Sequence, residues 1–138
     1  MGSAFPSRVH ILKPQWVTPS DDPAEIALPL PAAWRCNLAD DSLTWSAGVF
    51  ELFGIARGSR VDRRAVVEHY CDESRDLLER LRSDAIANCG SFTFEARIRR
   101  LDGDWRWMRV SADVAVKNGR ATHLFGMKQD ITAEFDGR

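Results

Sequence analysis

The chain has 138 residues and 44% hydrophobic content, enough for one domain with a real core. Nineteen basic and twenty acidic residues leave a net charge of −1, so no bulk charge points to nucleic acid or an anionic membrane. Apolar runs are too short to span a bilayer and the start lacks a signal-peptide pattern. Three widely spaced cysteines, Cys36, Cys71 and Cys89, suit a reducing compartment, so the expectation is a cytoplasmic single domain.

All six prolines fall within the first 31 residues. Proline fixes φ and removes a donor, so residues 1–31 read as a Pro-rich extension, with a short helical turn at "AEIAL", and residues 32–132 as the folded domain. "AAWRCNL" and "DDSLTW" read as two short strands around an Asp-Asp-Ser turn. Ser46 is placed to cap a helix carrying Val49, Phe50 and Phe53, with Gly54 to end it. Asp62 starts "RRAVVEHYC", which carries Val66, Val67 and Tyr70 at helical spacing. Asp72 or Ser74 caps the longest helix, residues 73–88, whose apolar stripe is Leu77, Leu78, Leu81, Ala85 and Ile86, and "NCG" closes it.

From residue 92 the period changes from 3.6 to 2. Phe92, Phe94, Ala96 and Ile98 alternate with Thr93, Glu95, Arg97 and Arg99. "LDGD" is a hairpin signal; the returning strand puts Arg106, Met108, Val110, Ala112 and Val114 on one face and Trp105, Trp107, Arg109 and Ser111 on the other. "KNGRA" is a second hairpin signal, and "THLFGMKQDI" is the last strand. Two strands, helices, then three hairpin-linked strands make an α+β domain with helices on one side of an antiparallel sheet.

These residues resemble the PAS sensory family in its PAS/PAC-type variant. The similarity lies in "WRCNLADDSLTWSAGVFELFGI", in "FTFEARIRRLDGDWRWMRV" and in the ending "GMKQDIT", and it covers about residues 33–132. One departure is "HYCDESRD" before the long helix, where members commonly have His-Pro-x-Asp; it puts the local loop geometry in question. The resemblance implies a PAS fold: a five-stranded antiparallel sheet in spatial order 2-1-5-4-3, helices on one face and a cavity between. It also implies a sensor or dimerisation module attached to kinases, cyclases or transcription factors, although function has to come from the site.

No Gly-x-Ser-x-Gly, phosphate loop or paired metal motif is present, and His10, His69 and His123 offer few bases, so no enzyme is expected. His69, Cys71, Cys36 and Cys89 lack zinc-site spacing. Flavin-binding relatives keep a cysteine within Asn-Cys-x-Phe-Leu-Gln, which this chain lacks, and only His69 sits where relatives supply a haem ligand. No cofactor is therefore expected; a haem- or flavin-dependent redox or gas sensor is the alternative. A ligand pocket would be lined by Phe50, Phe53, Val66, Tyr70, Phe94, Ile98, Met108, Val110, Leu124 and Lys128, with dense core packing as the competing reading. Alternation through Leu124 and Gly126 turns Lys128 inward, where flavin-binding relatives carry a polar ligand-contacting residue. A buried lysine needs an anionic partner or loses its charge, unless it snorkels to water. The ligand implied is small, apolar and anionic at one end.

The same alternation sends Trp105, Trp107, Phe125 and Met127 to the sheet face away from the helices, rimmed by Arg97, Arg99 and Arg109. Such a patch is expected to be covered by a second copy, giving a homodimer, or by the extension through Trp16, Val17, Ile26 and Leu28. Asp130, Ile131 and Thr132 stand where the family passes its signal to an output domain, with Thr132 suited to cap a following helix. Only six residues follow Thr132. That fits either a stand-alone module acting through a signalling partner, which the start of the chain favours, or the excised sensor of a histidine kinase or cyclase.

Overall fold

The switch to alternating periodicity at Phe92 begins the three long strands on which the rest of the fold is hung. A computed structural model describes residues 8–9 and 29–136. In chain order the elements are β1 (Arg8–Val9), β2 (Ala32–Asn37), β3 (Leu43–Trp45), α1 (Ala47–Phe53) and α2 (Arg63–Val66). A 3-10 turn (Val67–His69), α3 (Asp72–Asn88), β4 (Phe92–Arg99), β5 (Trp105–Lys117), β6 (Arg120–Asp130) and α4 (Thr132–Asp136) complete the set. Among the described residues the strands form one antiparallel sheet in the order β1-β4-β5-β6-β2-β3. Counted from β2, this is the 2-1-5-4-3 order; the added sixth strand pairs Arg8 with Glu95 and Val9 with Phe94 at the β4 edge. The helical turn expected at "AEIAL", and Trp16, Val17, Ile26 and Leu28, lie outside the described residues.

Both hairpins use left-handed residues where the sequence signals them: Gly103 at φ 92° in the first, Asn118 at 52° and Gly119 at 76° in the second. Helix α1 ends at Gly54, also left-handed. Its N-terminus differs from expectation, since the Ser46 side chain makes no cap bond. Asp62 does cap: its Oδ1 accepts from the Ala65 N–H at 2.9 Å. Removing that acceptor leaves an orphan donor in a four-residue helix, so Asp62→Ala should lower stability by about 1 kcal/mol in urea denaturation.

The helix read through "RRAVVEHYC" stops early. Tyr70 is extended and bridges to Ile98, while the Cys71 N–H donates to the Arg97 carbonyl at 3.0 Å. This ties the chain to the β4 edge before α3 starts at Asp72, with Cys71 and not Asp72 or Ser74 at the cap position. Ser74 is buried, and its hydroxyl accepts from the Arg97 N–H at 2.9 Å. Cys89, at φ 50°, closes the helix.

The core lies between the sheet and α1–α3. Phe53, Phe94, Ile98, Met108, Val49 and Val110 are essentially inaccessible. Trp45 stacks on Phe53 with centroids 4.9 Å apart and meets Phe50 edge-on at 5.1 Å. Leu77, Leu78, Leu81 and Ile86 pack against this core from α3, with Ala85 buried among them.

Candidate functional site

Four segments meet at one end of the core: β2 and β6 as adjacent strands, with α2 and the middle of α3 across from them. The register pairs Trp34 with Gly126, Cys36 with Leu124 and Val110 with Lys128, which puts these alternate residues on the helix-facing side. Between them and the helices is a cavity of about 50 Å³ lined by Trp34, Cys36, Leu43, Arg63, Val66, Val67, Tyr70, Leu78, Arg82, Phe92, Val110, Leu124 and Lys128. That is room for a few waters or one small ligand group.

Lys128 is the unusual member. It is 7% exposed, so its side chain does not snorkel to water. Its Nζ donates to the Tyr70 hydroxyl at 3.1 Å and lies 5.1 Å from the Phe53 ring centre, 5.3 Å from Trp34 and 5.6 Å from Tyr70. Three ring faces stabilise a cation, but less than water does. Among the described residues no carboxylate pairs with Nζ. Burial therefore lowers the Lys128 pKa to about 7, against the smaller opposing pull of Cys36. Burial likewise raises the Tyr70 pKa above its usual value, so the hydroxyl keeps its proton.

The opposite wall is also basic. Arg63 pairs with Glu79, and Arg82 with Asp41 at 3.1 Å. The Arg82 Nε is buried and has no hydrogen-bond partner among the described residues. Burial, then Asp41, raises the Cys36 pKa, with Arg82 and Arg63 pulling the other way. A small space holding an amine, two guanidinium groups and aromatic walls is complementary to an anion with a short apolar body.

Five of the ten residues expected in the pocket line this cavity: Val66, Tyr70, Val110, Leu124 and Lys128. The other five, Phe50, Phe53, Phe94, Ile98 and Met108, are packed core, although Phe53 reaches Lys128 with its ring face. Sequence reasoning missed Trp34, Cys36 and Phe92, together with Leu43, Val67, Leu78, Arg63 and Arg82. The first three stand at inward alternation positions and were legible there; the arginines were not. Lys128 also lines a surface groove with Leu30, Glu51, Leu52, Arg100, Arg106 and Asp130.

Neither chromophore of the alternative reading fits this geometry. The cavity is far below the roughly 300 Å³ at which pockets for larger cofactors begin. His69 is half-buried and outside the cavity lining, and its Nδ1 is 2.8 Å from the Arg99 carbonyl oxygen. No group of histidine, cysteine and carboxylate side chains among the described residues could hold a metal ion.

The residues expected at the outer face do not make one patch. Phe125 and Met127 are 42% and 41% exposed and border a shallow groove with Ala33, Arg35, Thr44 and Ser111. Trp105, 39% exposed, lies beneath the Arg97 and Arg99 guanidinium groups at 4.7 and 5.8 Å. Met127 pairs with Ser111, six residues along β5 from Trp105 and so roughly 20 Å away. Trp107 is covered from a direction the sequence did not suggest: Phe135 of α4 stacks on it, centroids 4.4 Å apart. Arg109 does not rim a patch but bridges Glu95 at 2.8 Å and Glu134 at 3.2 Å. Glu95 is fully buried although it faces away from the helices.

The exit from β6 is tightly tied. Asp130 accepts from Arg106 at 3.1 Å and from the Thr132 N–H at 2.9 Å, and the buried Ile131 donates its N–H to the Trp107 carbonyl at 2.9 Å. The Thr132 hydroxyl accepts from the Trp107 N–H at 2.9 Å. Asp130, not Thr132, thus satisfies the start of α4. Lys128 is two residues upstream, on the same strand.

A family described as "PAS fold" matches residues 42–127. Among curated proteins none matches the chain. Solved structures with the same fold include the N-terminal domain of a diguanylate cyclase with PAS/PAC sensor from Marinobacter aquaeolei. That domain has TM-score 0.70 and 18% identity, covering 77% of this chain and 99% of the other. A sensory box histidine kinase/response regulator from Burkholderia thailandensis E264 gives TM-score 0.67 and 17% identity, covering 78% and 81% of the two chains. A PAS domain from Colwellia psychrerythraea gives 0.62 and 20%, covering 74% and 86%. At these identities the likeness speaks for the fold. No helix among the described residues is long and apolar enough to cross a membrane.

Proposed function

The chain belongs to the PAS-fold family, and we propose that it is a non-catalytic sensor binding a small, largely apolar molecule whose anionic group sits against Lys128. The observation that carries this reading is the buried, carboxylate-free amine at the edge of a cavity whose far wall is Arg63 and Arg82. An empty site of this kind is costly, because the desolvated Lys128 amine, unlike Arg63 and Arg82, has no counter-ion among the described residues; an anion removes that cost. Binding would bear on β6 at Lys128, and Asp130, Ile131 and Thr132 would carry the change to α4 and a signalling partner. That the fold's solved neighbours include parts of a cyclase and a histidine kinase is in keeping with such a role.

The test is thermal denaturation with acetate, propionate and butyrate against the matching primary amides. A ligand that binds only the folded state raises stability, by about 2.7 kcal/mol at one hundred times its Kd. The carboxylates should stabilise the wild type and the amides should not, and Lys128→Met should respond to neither. Equal shifts by acids and amides would contradict the reading.

A homodimer is the accompanying proposal, and it now rests on Phe125 and Met127, the two adjacent exposed apolar side chains of β6. Self-complementary contact across a two-fold axis is the ordinary way to bury such a pair. Sedimentation should give a dimer for the wild type and a monomer for Phe125→Asp. A monomeric wild type would remove the proposal.

A further inference from the structure

We infer that Lys128 is a carbonyl-trapping residue: its amine forms an imine with a small oxo acid held in the cavity. The inference rests on the anion-binding reading of the same site and adds what the amine itself does. Nζ is fixed by one hydrogen bond to the Tyr70 hydroxyl and by three surrounding rings, and no carboxylate among the described residues holds it as an ammonium. Lys128 lines both the internal cavity and the surface groove beside α1. An amine is a nucleophile only when neutral, and desolvation in an apolar pocket is how proteins make lysine reactive. With its pKa lowered to about 7, roughly half of Lys128 is neutral at pH 7.

The far wall of the cavity supplies partners for the acid group. Arg82, whose buried Nε has no hydrogen-bond partner among the described residues, and Arg63 offer the carboxylate of an oxo acid a place in the same cavity. The step balances without any oxidant or reductant. The Nζ lone pair attacks the carbonyl carbon, the C=O π pair moves to oxygen, and a proton passes from nitrogen to that oxygen to give a carbinolamine. The hydroxyl then leaves as water, taking a proton from the Tyr70 hydroxyl. The nitrogen pair forms C=N and the remaining N–H proton returns to Tyr70. Tyr70 is placed for this, being 3.1 Å from Nζ and still protonated because it is buried.

The test uses the full chain with glyoxylate or pyruvate and cyanoborohydride at neutral pH, followed by intact mass and peptide mapping. The chain has only three lysines, Lys13, Lys117 and Lys128, which makes the mapping unambiguous. The expected product gains the mass of the acid less one oxygen, on Lys128, at least about tenfold faster than on the exposed Lys117. In water a lysine amine is neutral in only about one molecule in a few thousand at pH 7, which sets that expectation. Lys128→Arg should keep the charge and abolish the adduct, and Tyr70→Phe should slow its formation. Lactate, of pyruvate's size but without the carbonyl, separates the two readings. Stabilisation by lactate with no selective trapping at Lys128 would overturn the imine and leave the anion site standing. No response to either acid would overturn both.

Discussion

Gly126→Ala should leave little or no folded protein. A Cβ at this position would lie 1.9 Å from the Ser111 carbonyl oxygen and 2.7 Å from its carbon, both backbone atoms of the neighbouring strand. No rotamer relieves that contact; β5 and β6 would have to part where the sheet is centred, taking Lys128 and the exit at Asp130 with them. Cross-strand contacts here also hold Trp34, whose indole N–H donates to the same Ser111 oxygen at 3.2 Å. The expected loss is several kcal/mol, a large share of the roughly 5–15 kcal/mol that holds a domain of this kind together. Gly90→Ala is the control, since nothing lies within 4 Å of a Cβ there and its φ is not left-handed. Circular dichroism and urea melts of the two should differ sharply. A Gly126→Ala protein melting within about 1 kcal/mol of wild type would contradict the packing described.

Lys128→Met should stabilise the protein, with a pH dependence that identifies the cause. The folded-state pKa lies below the unfolded value, from 10.5 to about 7. As pH falls through this window the unfolded chain takes up a proton that the folded chain refuses. The penalty therefore grows from pH 10.5 down to about 7 and is complete below that. Wild-type stability relative to Lys128→Met should rise with pH across the window, with a slope approaching about 1.4 kcal/mol per unit. The gain from the substitution should be a few kcal/mol at pH 6 and fall below about 1 kcal/mol by pH 10. Cys36 and Tyr70, both raised, act with the opposite sign above about pH 9 and pH 10, but they are present in both proteins and largely cancel in the difference. Urea denaturation from pH 6 to 10 is the measurement; parallel curves would mean that Lys128 is solvated in the folded state. The more stable variant would also be the one that no longer discriminates carboxylates, a trade of stability for recognition common at binding sites.

Which of these features could be read from the amino acids depended on their periodicity. Alternation is independent of distance, so Leu124, Gly126 and Lys128 could be assigned to the inner face, and Trp105 and Trp107 to the outer one, before any pairing was known. Register is what alternation lacks. Whether Met127 lies beside Trp105 or roughly 20 Å from it depends on its pairing with Ser111. Arg63 and Arg82 were invisible for another reason. Long charged side chains bury their stems while counting as polar surface in any helical pattern, and only the approach of α2 and α3 to β2 brings them to the cavity. Helix α4 is too short to announce itself by periodicity; the ring of Phe135 on Trp107 is a tertiary contact with no local signature.

The proposed role of Lys128, a buried amine that receives an anion, can be read from the titration of its own Nζ. Lysine labelled at carbon ε or nitrogen ζ gives three signals for assignment, with Lys128→Arg identifying the one that matters. The midpoint for Lys128 in the free protein is expected near pH 7. It should move upward when propionate is added, because a bound carboxylate favours the charged form. A midpoint near the ordinary 10.5 that stays there in the presence of propionate would contradict that role.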